Sequence, residues 1–420
     1  MKKAWLNAKL ATGTGGVVVE NGLIVAAGAA VTRDSVSGAQ MVDCKGKLLL
    51  PGLIDMRVFT GEPGSEYRET LATASDAAAA GGVTTIIVMP NTDPVIDDAA
   101  MVDFILRRAR DTAKVRVAPM AAITKGLKGE AMTELGLMKA AGAVAATDGI
   151  KGVASSALLR RAMIYGKDHG MLIVQHVEEP SLATGVMNNS EMSSRLGLAG
   201  SHAMAEVIIL ERDLRLVEMT GAAYHAAQLS SAESVEVMRR AKAKGLPVTC
   251  GVSINHLVLN ENDIGAYRTF FKLSPPLRKE DDRRALVQGL LDGVIDVIVS
   301  GHDPQSDDTK RLPFAEAAHG AIGLDTFMAS LISLYHNENI ALSRLIEACC
   351  EAPARILGLP QGKLEVGAPA DFSITDPDHS WNVEPEELYS RSKNSPFEHR
   401  TLEGRVMETV VAGQSVYSAT

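Results

Sequence analysis

A chain of 420 residues, 46% of them hydrophobic, can bury one large core and a smaller satellite, so a large domain with an accessory unit is expected. Its formal charge of -9, from 51 acidic and 42 basic side chains, is spread along the chain with no Lys/Arg run able to track a phosphate backbone, which argues against nucleic acid. Cys44, Cys250, Cys349 and Cys350 have neither the number nor the spacing of a disulfide framework or metal knuckle and read as reduced thiols of a cytoplasmic protein, and the sequence offers neither an apolar leader nor an apolar stretch of about 18 residues to engage a membrane.

The first fifty residues alternate short apolar runs with Gly, Asn and Asp turns, as in Gly15-Gly16-Val17-Val18-Val19-Glu20-Asn21-Gly22. That is hairpin chemistry, and it predicts an all-β segment over 1–50. From Leu48 the texture changes to Val- and Ile-rich strands separated by Ala-rich helical stretches, the pattern of repeated βα units. Strands are predicted over 53–59, 84–89, 115–123, 143–148, 171–177, 222–229, 247–253 and 296–303. Helices predicted over 155–169, 231–244 and 280–292 separate several of them. Eight such units favour closure into a (β/α)₈ barrel, of the TIM type, spanning 51–357. A last helical region near 342–357 holds the adjacent Cys349 and Cys350, which read as packing. The texture then returns to β in 362–367 and 405–416, so segments 1–50 and 358–420 are expected to form one small β domain. In a barrel of this kind, chemistry belongs at the C-terminal ends of the strands.

The segment Pro51-Gly52-Leu53-Ile54-Asp55-Met56-Arg57-Val58-Phe59 resembles the opening of the amidohydrolase barrel, PG-x-I-D-x-H-x-H. Further islands narrow the resemblance to the dihydroorotases: Gly61-Glu62-Pro63-Gly64, Arg68-Glu69-Thr70, Met89-Pro90-Asn91-Thr92, Arg195-Leu196-Gly197-Leu198, Lys272-Leu273-Ser274-Pro275-Pro276-Leu277-Arg278, and Ala368-Pro369-Ala370-Asp371. The match runs nearly end to end. It implies a metal-dependent hydrolase plan, in which a metal pair generates a hydroxide and polarises the ring amide.

Taken residue by residue, the resemblance places Arg57 and Phe59 where the family has its first two His ligands, Gln228 where it has a third, and Gly301 at its catalytic Asp. Phe cannot ligate a metal and Arg stays protonated. His176 and Asp148 stand at the two ligand positions that keep a suitable residue type. Gly61 occupies the position of the Arg that grips the substrate carboxylate, and Gln305 that of a His in the eighth-strand motif. Asn91 matches a substrate-binding position, and His302 lies within the same motif.

Each of these residues has a plainer reading. His176 on an apolar strand is also what a packed core histidine looks like, and Asp148 is also placed to cap the following turn. Arg57 could be a surface arginine; if it points inward, as the alternation of strand side chains predicts, its guanidinium would take over the positive charge of the metal and pair with Asp148 or Asp303. Asp303 shares the parity of Gly301, about 6 to 7 Å further along the strand; it is the candidate catalytic residue of a rebuilt site, the rival being a loop acid paired with Lys310 or Arg311. With four of six positions replaced, the resemblance implies a non-catalytic dihydroorotase homologue, without a cofactor. Its expected partner is aspartate carbamoyltransferase, with self-association into a homo-oligomer and a small pyrimidine-pathway ligand as further possibilities. The alternative is an active dihydroorotase or related cyclic-amide hydrolase, which would carry zinc.

Overall fold

The computed structural model describes residues 2–36 and 38–419. Two assemblies of strands account for the architecture. Eight strands, Leu53–Val58, Val83–Val88, Arg116–Pro119, Ala145–Ala146, Leu172–Gln175, Tyr224–Ala226, Val248–Ser253 and Val297–Val299, pair in parallel in chain order. The two arcs join through the Ala121–Ala146 bridge. The ring closes where the Phe59 amide donates to the His302 carbonyl at 3.0 Å. This is the expected closed barrel. Its interior is filled by Met56, Ile87, Met120, Leu172, Val174, Val297 and Val299, while Ile54, Ile86 and Ile173 are buried without remainder. Both faces of the strands are apolar because helices cover the outside.

Helices such as Leu71–Ala80, Ser156–Asp168 and Ala232–Ala243 start on hydroxyl caps: the side chains of Thr70, Ser155 and Ser231 accept from the amide three residues on. The two chain ends meet in an eight-stranded sheet, in which Leu48–Pro51 pairs antiparallel with Phe372–Asn382. Trp5 packs edge-on against Phe372 with centroids 4.9 Å apart and anchors its core. The segment 362–367, predicted as β, forms turns instead; its part in the sheet is limited to the Gly367 amide donating to Ile24.

Between Phe372–Asn382 and Thr401–Val411 the chain leaves the sheet and crosses the barrel mouth. Val383, Leu388 and Phe397 pack with Phe271, Leu273 and Phe314, and Asn394 accepts from the Gln305 amide and donates to the Gly320 carbonyl. Residues far apart in sequence are thereby fixed around the C-terminal ends of the strands. All four cysteines are buried and free. Among the described residues, no helix is long and apolar enough to cross a membrane.

Candidate functional site at the barrel mouth

Arg57 lies at the end of the first barrel strand, only 6% exposed, and lines an interior cavity together with its neighbour Met56. Strict alternation would send adjacent residues to opposite faces; the register irregularity between Asp55 and Val58 explains why both turn inward. The inward orientation is as the sequence predicts, but the pairing is not. Asp148 is taken by Thr124, accepting from its amide at 2.9 Å and from its hydroxyl, and does not cap the turn that follows it. Asp303 pairs with Arg68 at 2.9 Å and accepts from Gln305 Nε2 at 3.0 Å. Neither carboxylate bonds Arg57, whose Nε and Nη2 have no partner. The rival pairing of Asp303 also fails, because Lys310 donates to the Thr269 and Ala318 carbonyls and Arg311 pairs with Asp307.

Phe59 is buried, with the Arg68 guanidinium 4.2 Å above its ring. His176 places Nε2 3.1 Å from Glu178 Oε2 and leaves Nδ1 unpartnered. Asn91 and Gln228 are both at the mouth, each with its amide oxygen buried and unbonded. His302 accepts from the Gly323 amide at Nδ1 and holds Nε2 3.5 Å from the buried Glu69.

The last barrel strand stops at Val299, so positions 301 and 303 lie on a loop, and the argument from shared strand parity does not apply to them. Gly301 has φ +70°, and a β-carbon there would sit 2.5 Å from Ser253 Oγ. An Asp at 301 would be strained and in collision. Gly61 repeats the pattern: φ is +67°, and a β-carbon would lie 2.6 Å from the Glu69 and Ser65 carbonyl oxygens.

Electrostatics follow from burial. It works against the charge of Arg57, which Asp303 and Asp55 favour. Asp55, enclosed and accepting from the Ser300 and Arg57 amides, is pushed up to about 6. Burial also raises Asp303, against the influence of Arg68 and Arg57. His225 and His256, both buried, are driven down to about 3 and about 4.

These residues do not fit the family's metal pair. A guanidinium, a phenyl ring, an amide and a glycine stand at four of the places that the resemblance assigns to it, and the His and Asp at the other two are bonded to Glu178 and Thr124. Among the described residues no three His, Cys, Asp or Glu side chains gather in a group able to hold a metal ion. Sequence reasoning gave no role to Arg68, Glu69, Glu178 or Arg278. The buried Arg278 bonds Ser230 Oγ, Asn188 Oδ1 and the Ser201 carbonyl and ties three mouth loops together. Its place in the Ser274-Pro275-Pro276-Leu277-Arg278 island, like that of Arg68-Glu69-Thr70 in its own, was the available signal.

Residues 46–234 match the Dihydro-orotase-like family and residues 295–417 the Amidohydrolase family. The chain is 41% identical over 404 residues to the dihydroorotase of Citrifermentans bemidjiense, covering 96% of this chain and 95% of that protein. It belongs to the dihydroorotase family. The dihydroorotase of Anaeromyxobacter sp. strain K is likewise 41% identical, over 96% of this chain and 93% of its own. Among solved structures, this dihydroorotase-family chain superposes on the L-hydantoinase (dihydropyrimidinase) of Arthrobacter aurescens with a TM-score of 0.89 and 26% identity, covering 100% of this chain and 96% of the other. The dihydropyrimidinase of Brevibacillus agri NCHU1002 has the same fold, with a TM-score of 0.85 at 21% identity over 100% and 95% of the two chains.

Proposed function

We propose that this member of the dihydroorotase family has lost the ring-closing chemistry and serves in de novo pyrimidine synthesis as a non-catalytic structural or regulatory partner of aspartate carbamoyltransferase. The observation that carries the first half is the state of position 301, where a glycine stands at φ +70° and a β-carbon would come within 2.5 Å of the Ser253 hydroxyl. The replaced ligand positions agree with it, because a lone imidazole and carboxylate cannot hold a binuclear centre. The carbamoyltransferase half rests on the family resemblance. In this reading the chain works in the cytoplasm as a homo-oligomer and needs no metal.

The test is to purify the protein, measure its zinc and assay the cyclisation of N-carbamoyl-L-aspartate with and without added zinc. Well under one zinc per chain and no product above the blank are expected, together with co-purification of a tagged carbamoyltransferase. Stoichiometric zinc with turnover would overturn the reading.

A second reading is an active dihydroorotase, or a related cyclic-amide hydrolase, with a zinc site rebuilt around His176, Asp148, His302 and Asp303. The 41% identity to proteins named dihydroorotase favours it. Against it stand the prior engagements of those four side chains with Glu178, Thr124, the Gly323 amide and Arg68.

A further inference from the structure

Where the barrel meets the small sheet, a cavity of about 320 Å³ lies between the start of the helix Phe327–Asn337, the strands Phe372–Asn382, Thr401–Val411 and Gln414–Ser418, and the root of the crossing segment. Cavities that hold small organic molecules begin at about 300 Å³, so there is room here for a ligand of amino-acid size. The cavity shares no lining residue with the one beside Arg57. The chain has only two Trp and seven Tyr, yet Trp381, Tyr389 and Tyr417 all line this one place. The Tyr389 and Tyr417 rings stand 5.7 Å apart at 87°, a corner in which a further ring stacks on one face and meets the edge of the other. Glu387 and Tyr389 are exposed, Tyr389 by 47%, so the cavity opens to solvent.

Two charges of opposite sign line the same cavity, Glu387 and Arg405. Burial and Tyr389 raise the Tyr417 phenol while the Arg405 guanidinium beside it acts the other way, which places that cation at the aromatic corner. Among the described residues neither charge is ion-paired, with the other or elsewhere. The acids nearest Arg405 along the sheet are taken: its cross-strand neighbour Asp376 by Lys47, and Glu403 by His336. Asp325, the other acid of the lining, accepts from the Tyr389 and Ser390 amides. A molecule carrying both charges satisfies the two residues at once through charge-assisted hydrogen bonds, and a singly charged one leaves an end unmatched. We infer that this cavity binds a zwitterionic amino acid with an aromatic side chain, its carboxylate on Arg405, its ammonium on Glu387 and its ring in the Tyr389–Tyr417 corner beside Trp381. The inference depends neither on the loss of ring-closing chemistry nor on the carbamoyltransferase partnership.

Two measurements on the full chain test it. In the first, tryptophan fluorescence is followed while L-phenylalanine is added. Trp5 is enclosed in the sheet core at 1% exposure, so the signal reports Trp381, the other tryptophan of the chain. A saturable change with its midpoint below about 1 mM is expected, and phenylacetate, phenethylamine and L-alanine should each bind at least about tenfold more weakly. Arg405→Gln and Glu387→Gln, at half-buried and exposed positions, should weaken phenylalanine binding by a similar factor. Trp381→Phe should remove the signal. In the second, crystals of the wild-type protein soaked in L-phenylalanine should hold it in the cavity with its carboxylate within hydrogen-bonding reach of Arg405, a readout that survives even if a variant fails to fold. The inference is overturned if phenylalanine gives no saturable change in that range, if phenylacetate or phenethylamine binds as well as phenylalanine, if the signal persists in Trp381→Phe, or if binding occurs at crystal concentration only.

Discussion

Arg68 lays its guanidinium over Phe59, 4.2 Å from the ring centroid, and this places a permanent cation against the residue to which the resemblance assigns a metal-ligand position. The same guanidinium bonds Asp303 and donates Nε to the Pro304 carbonyl at 2.8 Å. Phe59, Arg68 and Asp303 form one stacked and ion-paired unit. The acid best placed for a rebuilt site is thus held by a residue it would have to leave.

Arg68→Met should therefore destabilise the protein by about 2 kcal/mol, since it strands a partly buried carboxylate and removes a cation–π contact. Asp303→Asn should cost less, because the amide oxygen can still accept from Arg68. Urea unfolding of the two variants checks the order. If Asp303→Asn proves the more damaging, the pairing is not what stabilises this corner.

Restoring the family residue at position 301 should not restore chemistry. Gly301→Asp is expected to lower stability by about 2 kcal/mol, from positive φ and the contact with Ser253, and to give no cyclisation even with zinc and with His placed at 57, 59 and 228. Unfolding midpoints and a product assay read both effects. Measurable turnover in that variant would show that the loop regains the active geometry at little cost.

Histidine burial predicts an acid liability. The folded-state value of His225 is about 3, below the unfolded value of about 6.5, so the unfolded chain binds more protons between these limits and stability falls as pH drops through that window. Asp55 and Asp213, both raised to about 6, act in the opposite sense over part of the same range. A single substitution separates them: His225→Gln should lose less stability than wild type between pH 6.5 and 4, by on the order of 2 kcal/mol. Parallel curves for the two proteins would contradict the assignment.

Glu178→Gln addresses the fifth strand. If His176 is held by Glu178 and not by a metal, the variant should leave zinc content unchanged and lower stability by about 1 kcal/mol. Metal analysis alongside chemical unfolding distinguishes the cases.

The barrel was legible because each strand is a short apolar run between helices, and all eight fall inside the predicted spans apart from Val83, one residue before its own. The ends were harder. The stretch predicted over 143–148 pairs only at Ala145–Ala146, and 296–303 only at Val297–Val299, because residues at the mouth leave the ladder to bond loops. At the site, the residue types at 57, 59, 148, 176, 228 and 301 could be read one by one, but their bonding could not. Arg68 and Asp303 are 235 residues apart, and no local pattern couples them. Glu178 was closer to view, two residues beyond His176 on the same short segment. The inward turn of Met56 beside Arg57 depends on a register break that period-two reasoning does not anticipate.

Gly61 shares with Gly301 a backbone that excludes a side chain. Its backbone holds a left-handed conformation in which an arginine side chain would collide with the Ser65 and Glu69 carbonyls. A side chain introduced at this position alone meets backbone rather than a yielding side chain, so it is accommodated only if the turn from 61 to 69 rearranges in the same step.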